Sequence, residues 1–206
     1  MVALIDYGAG NLTSVRKALA AVGAEVRVPL GPGDLAGAHG IVVPGVGHFR
    51  ATAALDGGWR EAVRASVAGG RPLLGICLGL QWLFEESAEA PELAGLGLFE
   101  GRCARLPGDV KVPHVGWNAV EPARRSWLLD GVAPGAQAYF THTYAAPVTG
   151  DTAATTLHGI TFASVVEKGS VAGAQFHPEK SGEAGLRILR NFVARCTSRT
   201  CEPVNP

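Results

Sequence analysis

The sequence predicts an α/β fold: an open, mostly parallel sheet flanked by helices, with antiparallel strands added in the second half. Three observations carry this prediction. Up to Pro91, short apolar runs alternate with helical patterns. Within that region the apolar run Pro72 to Ile76 passes straight into a helical pattern at Gly75-Ile76-Cys77-Leu78-Gly79. Beyond Pro91 the alternation gives way to short apolar runs punctuated by Gly, Pro and Asp, the pattern of antiparallel or mixed strands.

The elements follow in order. Val2-Ala3-Leu4-Ile5 reads as a buried strand. A helix comes next, with Asn11 as N-cap, one face built from Leu12, Val15, Ala18, Leu19 and Val22, and Gly23 ending it. Ala24 to Val28 reads as the second strand, and Gly40-Ile41-Val42-Val43 as the third, ending at Pro44-Gly45-Val46-Gly47. A helix is expected over Trp59 to Ala68, then the strand leading to Cys77, then a helix over Leu80-Gln81-Trp82-Leu83-Phe84-Glu85-Glu86. Later strands are expected around Leu96–Phe99, Val115–Val120, Ala138–Tyr144, Thr152–Leu157, Ala163–Val166 and Val171–Phe176. A closing helix runs from Glu183 to Arg195, with Leu186, Leu189 and Val193 on one side. Residues 1–198 thus read as one domain, and the polar residues 199–206 as a loose tail. In parallel sheets reactive groups collect beyond the strands' C-terminal ends, where both Cys77 and the Pro44–Gly47 loop fall.

Composition narrows the function. The chain has 206 residues and is 47% hydrophobic, enough for a core without disulfide staples. Lys+Arg and Asp+Glu both number 18, so no global attraction to nucleic acid or anionic membrane is expected. The start, MVALIDYGAGN, lacks a basic segment and is broken by Asp6, so it reads as a strand rather than a signal peptide. No apolar stretch approaches the ~20 residues of a membrane span. Cys77, Cys103, Cys196 and Cys201 are then expected to be reduced thiols of a cytoplasmic protein. Cysteines and histidines show no CxxC, HxxH or HExxH spacing, so no metal is predicted. Gly8-Ala9-Gly10 follows a strand, but Thr13 stands where a dinucleotide fingerprint needs its third glycine, and no cofactor is predicted.

Two segments carry the candidate chemistry. Glycines at −2 and +2 around Cys77 fit a nucleophile elbow, because side chains there would collide at a sharp strand-to-helix turn. A cysteine at a helix N-terminus is also favoured as thiolate. His177-Pro178-Glu179 supplies a base and a carboxylate to orient it, with Pro178 fixing one dihedral between them. Acyl transfer further needs oxyanion donors, expected from the Leu78 N–H and from the Gly45-Val46-Gly47 loop. On these residues alone two other readings stay open: a cysteine hydrolase or peptidase on a flavodoxin-like fold, and a binding or redox-sensing module whose cysteine is merely reactive.

Taken together, GxCxGxQ at Gly75–Gln81 and His177-Pro178-Glu179 resemble the class I, triad-type glutamine amidotransferases. DYGAGN, PGVGHF, GICLGLQWLFEES, PHVGWN, YFTHTY and QFHPEKS extend the resemblance over nearly the whole chain. They narrow it to the glutaminase subunits of imidazole glycerol phosphate synthase, ahead of glutaminase subunits of other amidotransferases. Leu80, where several other amidotransferases carry His, is compatible with that narrowing. The resemblance implies Cys77, His177 and Glu179 as catalytic residues and Gly47, Gln81 and Thr143 as glutamine-binding ones. It implies no cofactor. It also implies a (β/α)₈-barrel cyclase partner in a heterodimer, met by Asn11, Trp117, Tyr139 and Lys180. Finally, it implies glutaminase activity that stays low until acceptor nucleotide binds the cyclase, through rearrangement of the Gly45–Gly47 peptide.

Overall fold

A parallel pairing between two strands far apart in sequence organises the molecule. The computed structural model describes residues 1–55 and 57–198. The strands are β1 (Val2–Leu4), β2 (Val26–Arg27), β3 (Gly40–Val43), β4 (Leu73–Ile76), β5 (Phe84–Ser87), β6 (Phe99–Arg105), β7 (His114–Pro122), β8 (Ala136–His142), β9 (Tyr144–Ala145), β10 (Thr152–His158), β11 (Ile160–Lys168) and β12 (Val171–Ala174). The α-helices are α1 (Leu12–Ala21), α2 (Gly58–Ala68), α3 (Leu78–Leu83) and α4 (Gly182–Ser198). A nine-stranded sheet has the order β2-β1-β3-β4-β12-β11-β10-β7-β8. Its members from β2 to β12 run parallel to their neighbours, and from β12 to β8 they alternate. A smaller three-stranded sheet has the order β5-β6-β9.

Period-2 alternation explains why the first strands read as unbroken apolar runs. Val2, Leu4, Val42, Leu74 and Ile76 point to one face, packed by Val15 and Leu19 of α1 and by Ile188, Leu189 and Phe192 of α4. Ala3, Ile41, Val43 and Leu73 point to the other, packed by Val63 of α2 and by Leu80 and Leu83 of α3. Both faces are covered, so both sets must be apolar. Asn11 caps α1 as expected, its side chain accepting from the Ser14 N–H at 3.2 Å.

The β4–β12 pairing places the site. Leu73↔Val171 through Ile76↔Ala174 are in register, and the Cys77 N–H donates to Ala174 O at 2.7 Å. The chain therefore leaves both strands at the same end of the sheet, which brings Cys77 beside the segment that follows Ala174.

Four elements differ from the sequence reading; one is the strand expected around Leu96–Phe99, which begins only at Phe99 and runs to Arg105 as β6. The helix expected over residues 80–86 begins at Leu78, stops at Leu83, and gives way to β5. Its continuation is blocked because the Leu83 and Phe84 carbonyls accept from Leu98 N (2.9 Å) and Gly97 N (3.0 Å). Gly95 lies so close that a Cβ there would overlap Phe84 O, and the Phe84 ring packs on Phe99 at 5.6 Å. The second strand is only Val26–Arg27, an edge strand with Val28 already exposed. The closing helix buries Gly185, Ile188, Leu189, Phe192 and Cys196, so Leu186 and Val193 flank its buried stripe instead of forming it. The expected tail at 199–206, with Cys201, lies outside the described residues. Among the described residues no helix is long and apolar enough to cross a membrane.

Candidate active site

Steric crowding makes the elbow. Cys77 has φ +52°, and among the described residues it is the non-glycine residue with positive φ. Such a conformation costs an L-residue about 1–2 kcal/mol, so the surroundings must enforce it. They do: a Cβ on Gly75 would stand 2.7 Å from Gly79 O, and one on Gly79 would overlap Val43 O. Both flanking glycines are therefore required by backbone atoms that cannot move aside. Cys77 itself is 5% exposed. Gln175 donates to its sulfur from Nε2 at 3.7 Å, and Thr141 O lies 3.9 Å away.

His177 follows β12 and is fixed at its backbone. Its N–H donates to Tyr139 O at 2.9 Å, while Ser181 Oγ donates to its carbonyl at 2.6 Å. The turn at Pro178–Lys180 then folds Glu179 back onto the ring, Oε1 meeting Nδ1 at 2.9 Å. The two side chains are 2% and 1% exposed. A carboxylate can only accept, so Nδ1 carries hydrogen. Burial works to lower the His177 pKa, but Cys77 and Glu179, by hydrogen bonding and charge, outweigh it and raise the pKa to about 9. Nε2 is buried and without a conventional hydrogen-bond partner, which leaves it to exchange a proton with the neighbouring thiol or with a bound molecule.

The expected oxyanion donors meet in space but do not form a hole. Leu78 N–H donates to Gly45 O at 3.4 Å, and Val46 N–H to Ala9 O at 3.2 Å. Leu78 is buried and Val46 lies at the surface, and each pairs its N–H with a nearby backbone carbonyl. Gly47 has φ +99°, which a glycine adopts without strain. Gly45, Val46, Gly47 and Leu78 thus lie together, with the Leu78 and Val46 N–H groups engaged by backbone carbonyls.

Gln81, on α3, is buried and donates from Nε2 to Tyr144 O (2.8 Å) and Gln175 Oε1 (3.3 Å). Its amide is thus engaged by protein rather than turned to an open pocket. Thr143 is half-buried between β8 and β9, with its carbonyl accepting from Leu106 N at 2.9 Å. Sequence reasoning missed Gln175, which links Gln81 to Cys77 and whose only signal was its place in QFHPE. It also missed a histidine relay. His142 Nδ1 meets Tyr144 O at 3.0 Å, its Nε2 meets His114 Nδ1 at 3.0 Å, and His114 Nε2 meets Asn118 Nδ2 at 3.2 Å. Burial lowers the pKa of His142 to about 3 and of His114 to about 4, so both are neutral hydrogen-bond links at physiological pH. PHVGWN and YFTHTY each contain one of these histidines, but only the β7–β8 register, His114↔His142, puts them together.

Of the residues expected at a partner surface, three form one cluster. Trp117 and Tyr139 are cross-strand partners with rings edge-on at 6.2 Å, and Lys180 Nζ lies 5.6 Å over the Tyr139 ring. Trp117 is 57% exposed. Val115, on the same strand face, and Leu157 are also exposed apolar residues that the sequence did not single out. Asn11 is the N-cap of α1, the helix that packs against the Pro178–Lys180 turn.

Comparison with known proteins supplies the context. The family described as glutamine amidotransferase class-I matches residues 3–196. The imidazole glycerol phosphate synthase subunit HisH of Symbiobacterium thermophilum is 49% identical over 201 residues, covering 93% of this chain and 92% of that protein. The protein of the same name from Natronomonas pharaonis is 47% identical over 207 residues, covering 96% of each. Among solved structures, a glutamine amidotransferase superposes with a TM-score of 0.76 at 22% identity, covering 95% of this chain and 99% of the other, a likeness of fold.

Proposed function

This chain belongs to the class-I glutamine amidotransferase family, and we propose that its chemistry runs through Cys77, His177 and Glu179. It is the glutaminase subunit of an imidazole glycerol phosphate synthase, the partner of a cyclase subunit, and acts in histidine biosynthesis.

Cys77, its proton held by His177, attacks the side-chain amide carbon of glutamine through sulfur. The tetrahedral oxyanion is received by the N–H groups of Leu78 and Val46 once the Gly45–Gly47 loop turns, withdrawing Gly45 O from the first and aiming the second inward. His177 returns its proton to the departing nitrogen, ammonia leaves, and a glutamyl thioester remains on Cys77. His177 then takes a proton from water, whose oxygen attacks the thioester; the C–S bond breaks, and glutamate and the free thiol result. Glu179 holds the imidazole tautomer and stabilises the imidazolium. Gly47, Gln81 and Thr143 line the glutamine site. Gln81 must exchange a present protein contact for one to the substrate.

The observation that carries this reading is the β4–β12 register, which brings a strained cysteine beside a buried pair whose His177 Nδ1 and Glu179 Oε1 are 2.9 Å apart. The engaged donors at Leu78 and Val46 support a resting state of low activity. In this reading the cyclase docks on Trp117, Tyr139, Lys180 and Asn11 in the cytoplasm, and acceptor nucleotide bound to it favours the turned loop. Ammonia then passes to the (β/α)₈ barrel, which forms imidazole glycerol phosphate and an aminoimidazole carboxamide ribonucleotide.

The test is co-purification with the cyclase subunit and glutamate release by wild type and Cys77→Ala, with and without acceptor nucleotide. Stimulated release by wild type and none by the variant is expected. Near-wild-type release by Cys77→Ala would refute the mechanism, and full activity of wild type without cyclase would refute the coupling.

A further inference from the structure

Tyr7 has a buried hydroxyl with no hydrogen-bond partner. Buried polar groups in native proteins are nearly always paired, so an orphan invites a reason. The residue follows β1 in a loop held by Gly8 N–H donating to Asp6 Oδ1 at 2.9 Å, and its ring packs against the core on the α2 side of the sheet. The hydroxyl abuts Gly45: a Cβ on that glycine would overlap it. Burial, and after it the charge at Cys77, push the Tyr7 phenol above its ordinary range, so it remains a proton donor at any physiological pH.

The same glycine holds the resting loop closed. Its carbonyl occupies the Leu78 N–H at 3.4 Å, one of the two donors the oxyanion requires. For that N–H to serve the reaction, Gly45 O must leave, and a carbonyl in this buried place needs another donor when it does. A hydroxyl in contact with Gly45 and lacking an acceptor is suited to receive it. We infer that Tyr7 is the latch of the oxyanion loop: unpaired while the Gly45 carbonyl rests on Leu78, and hydrogen-bonded to that carbonyl once the loop turns. Tyr7 is thus a positioning residue, acting through Gly45. The inference rests on the glutaminase reading and adds to it a group that favours the active loop over the resting one.

Tyr7→Phe removes the hydroxyl and keeps the ring. In the complex with cyclase, glutamate release at saturating glutamine is measured with and without acceptor nucleotide. The ratio of stimulated to unstimulated kcat is expected to fall about tenfold, as for one hydrogen bond made in one state only, with KM for glutamine little changed. The isolated subunit is expected to melt at a higher temperature, because an unpaired hydroxyl has been removed from its resting form. An unchanged ratio, equal losses with and without acceptor, or a lowered melting temperature would each overturn the latch. Wild type and Cys77→Ala run alongside separate the two levels. If wild type is stimulated and Cys77→Ala is inactive while Tyr7→Phe matches wild type, the latch alone fails. If Cys77→Ala retains activity, the glutaminase reading itself fails.

Discussion

Replacing Glu179 with glutamine changes one charge in the middle of the site and almost nothing else. The carboxylate meets His177 Nδ1 at 2.9 Å with both side chains nearly sealed from solvent, and glutamine can keep the contact by accepting through its own oxygen. The His177 pKa stands at about 9 against an ordinary 6.5 although burial opposes the rise. That difference favours imidazolium by about 3 kcal/mol, with Cys77 and Glu179 as its sources. Cys77 contributes more to the rise than Glu179, so losing the Glu179 charge should remove a minor share of it, about 1 kcal/mol, or ~5-fold in kcat/KM. The sign with pH follows from a raised folded-state value. The stabilisation is fully present below pH 6.5 and is lost as pH rises through about 9. Glu179→Gln should therefore lower the melting temperature most near pH ~6 and least near pH ~10. Glutamate release by the complex across this range, with thermal denaturation at both ends, checks both halves. An unchanged kcat/KM, or the same loss of stability at both pH values, would refute the assignment of Glu179 as the group that holds the imidazolium.

Other substitutions probe separate parts of the account. Gly79→Ala drives a methyl into Val43 O, a backbone atom of the central sheet, and should destabilise by several kcal/mol or prevent folding, as read by thermal denaturation. Asn11→Ala removes the cap bond to Ser14 and should cost about 1 kcal/mol, measured by urea denaturation. Trp117→Ala should leave the subunit's own stability almost unchanged, since the ring is largely exposed, yet weaken cyclase binding ~30-fold or more, measured by calorimetric titration.

The elements built from local signals were legible in the sequence. β1, α1, β3, α2 and β4 fall within a residue or two of their expected bounds because unbroken apolar runs, an Asn cap and helix-ending glycines act locally. The elbow was legible through its glycine spacing: Gly75 is demanded locally, by Gly79 and Leu80, whereas Gly79 is demanded by Val43 O on the neighbouring strand. Leu80–Glu86 was misread because its helical pattern is overridden by residues 95–98, which take the carbonyls the helix would need. The buried stripe of α4 was misplaced because Gly185, a small residue, packs inward where Pro178 O comes too close for any side chain. Non-local pairing hid the rest. His114 and His142 become neighbours through strand register, Gln175 meets Cys77 through the β4–β12 crossover, and the Tyr7 hydroxyl meets Gly45 where two loops cross. The engagement of Leu78 and Val46 by carbonyls was legible only as a possibility of the glycines, which admit more than one backbone path.

The central claim is covalent: the glutamyl group passes through the sulfur of Cys77. The most direct measurement is acid quenching of the cyclase complex during glutamine turnover, followed by mass mapping of the peptide that contains Cys77. The account predicts a glutamyl adduct on that cysteine, sensitive to hydroxylamine as a thioester is, and absent when glutamine is omitted. Turnover at the full rate with Cys77 unmodified, or the adduct on another residue, would contradict it.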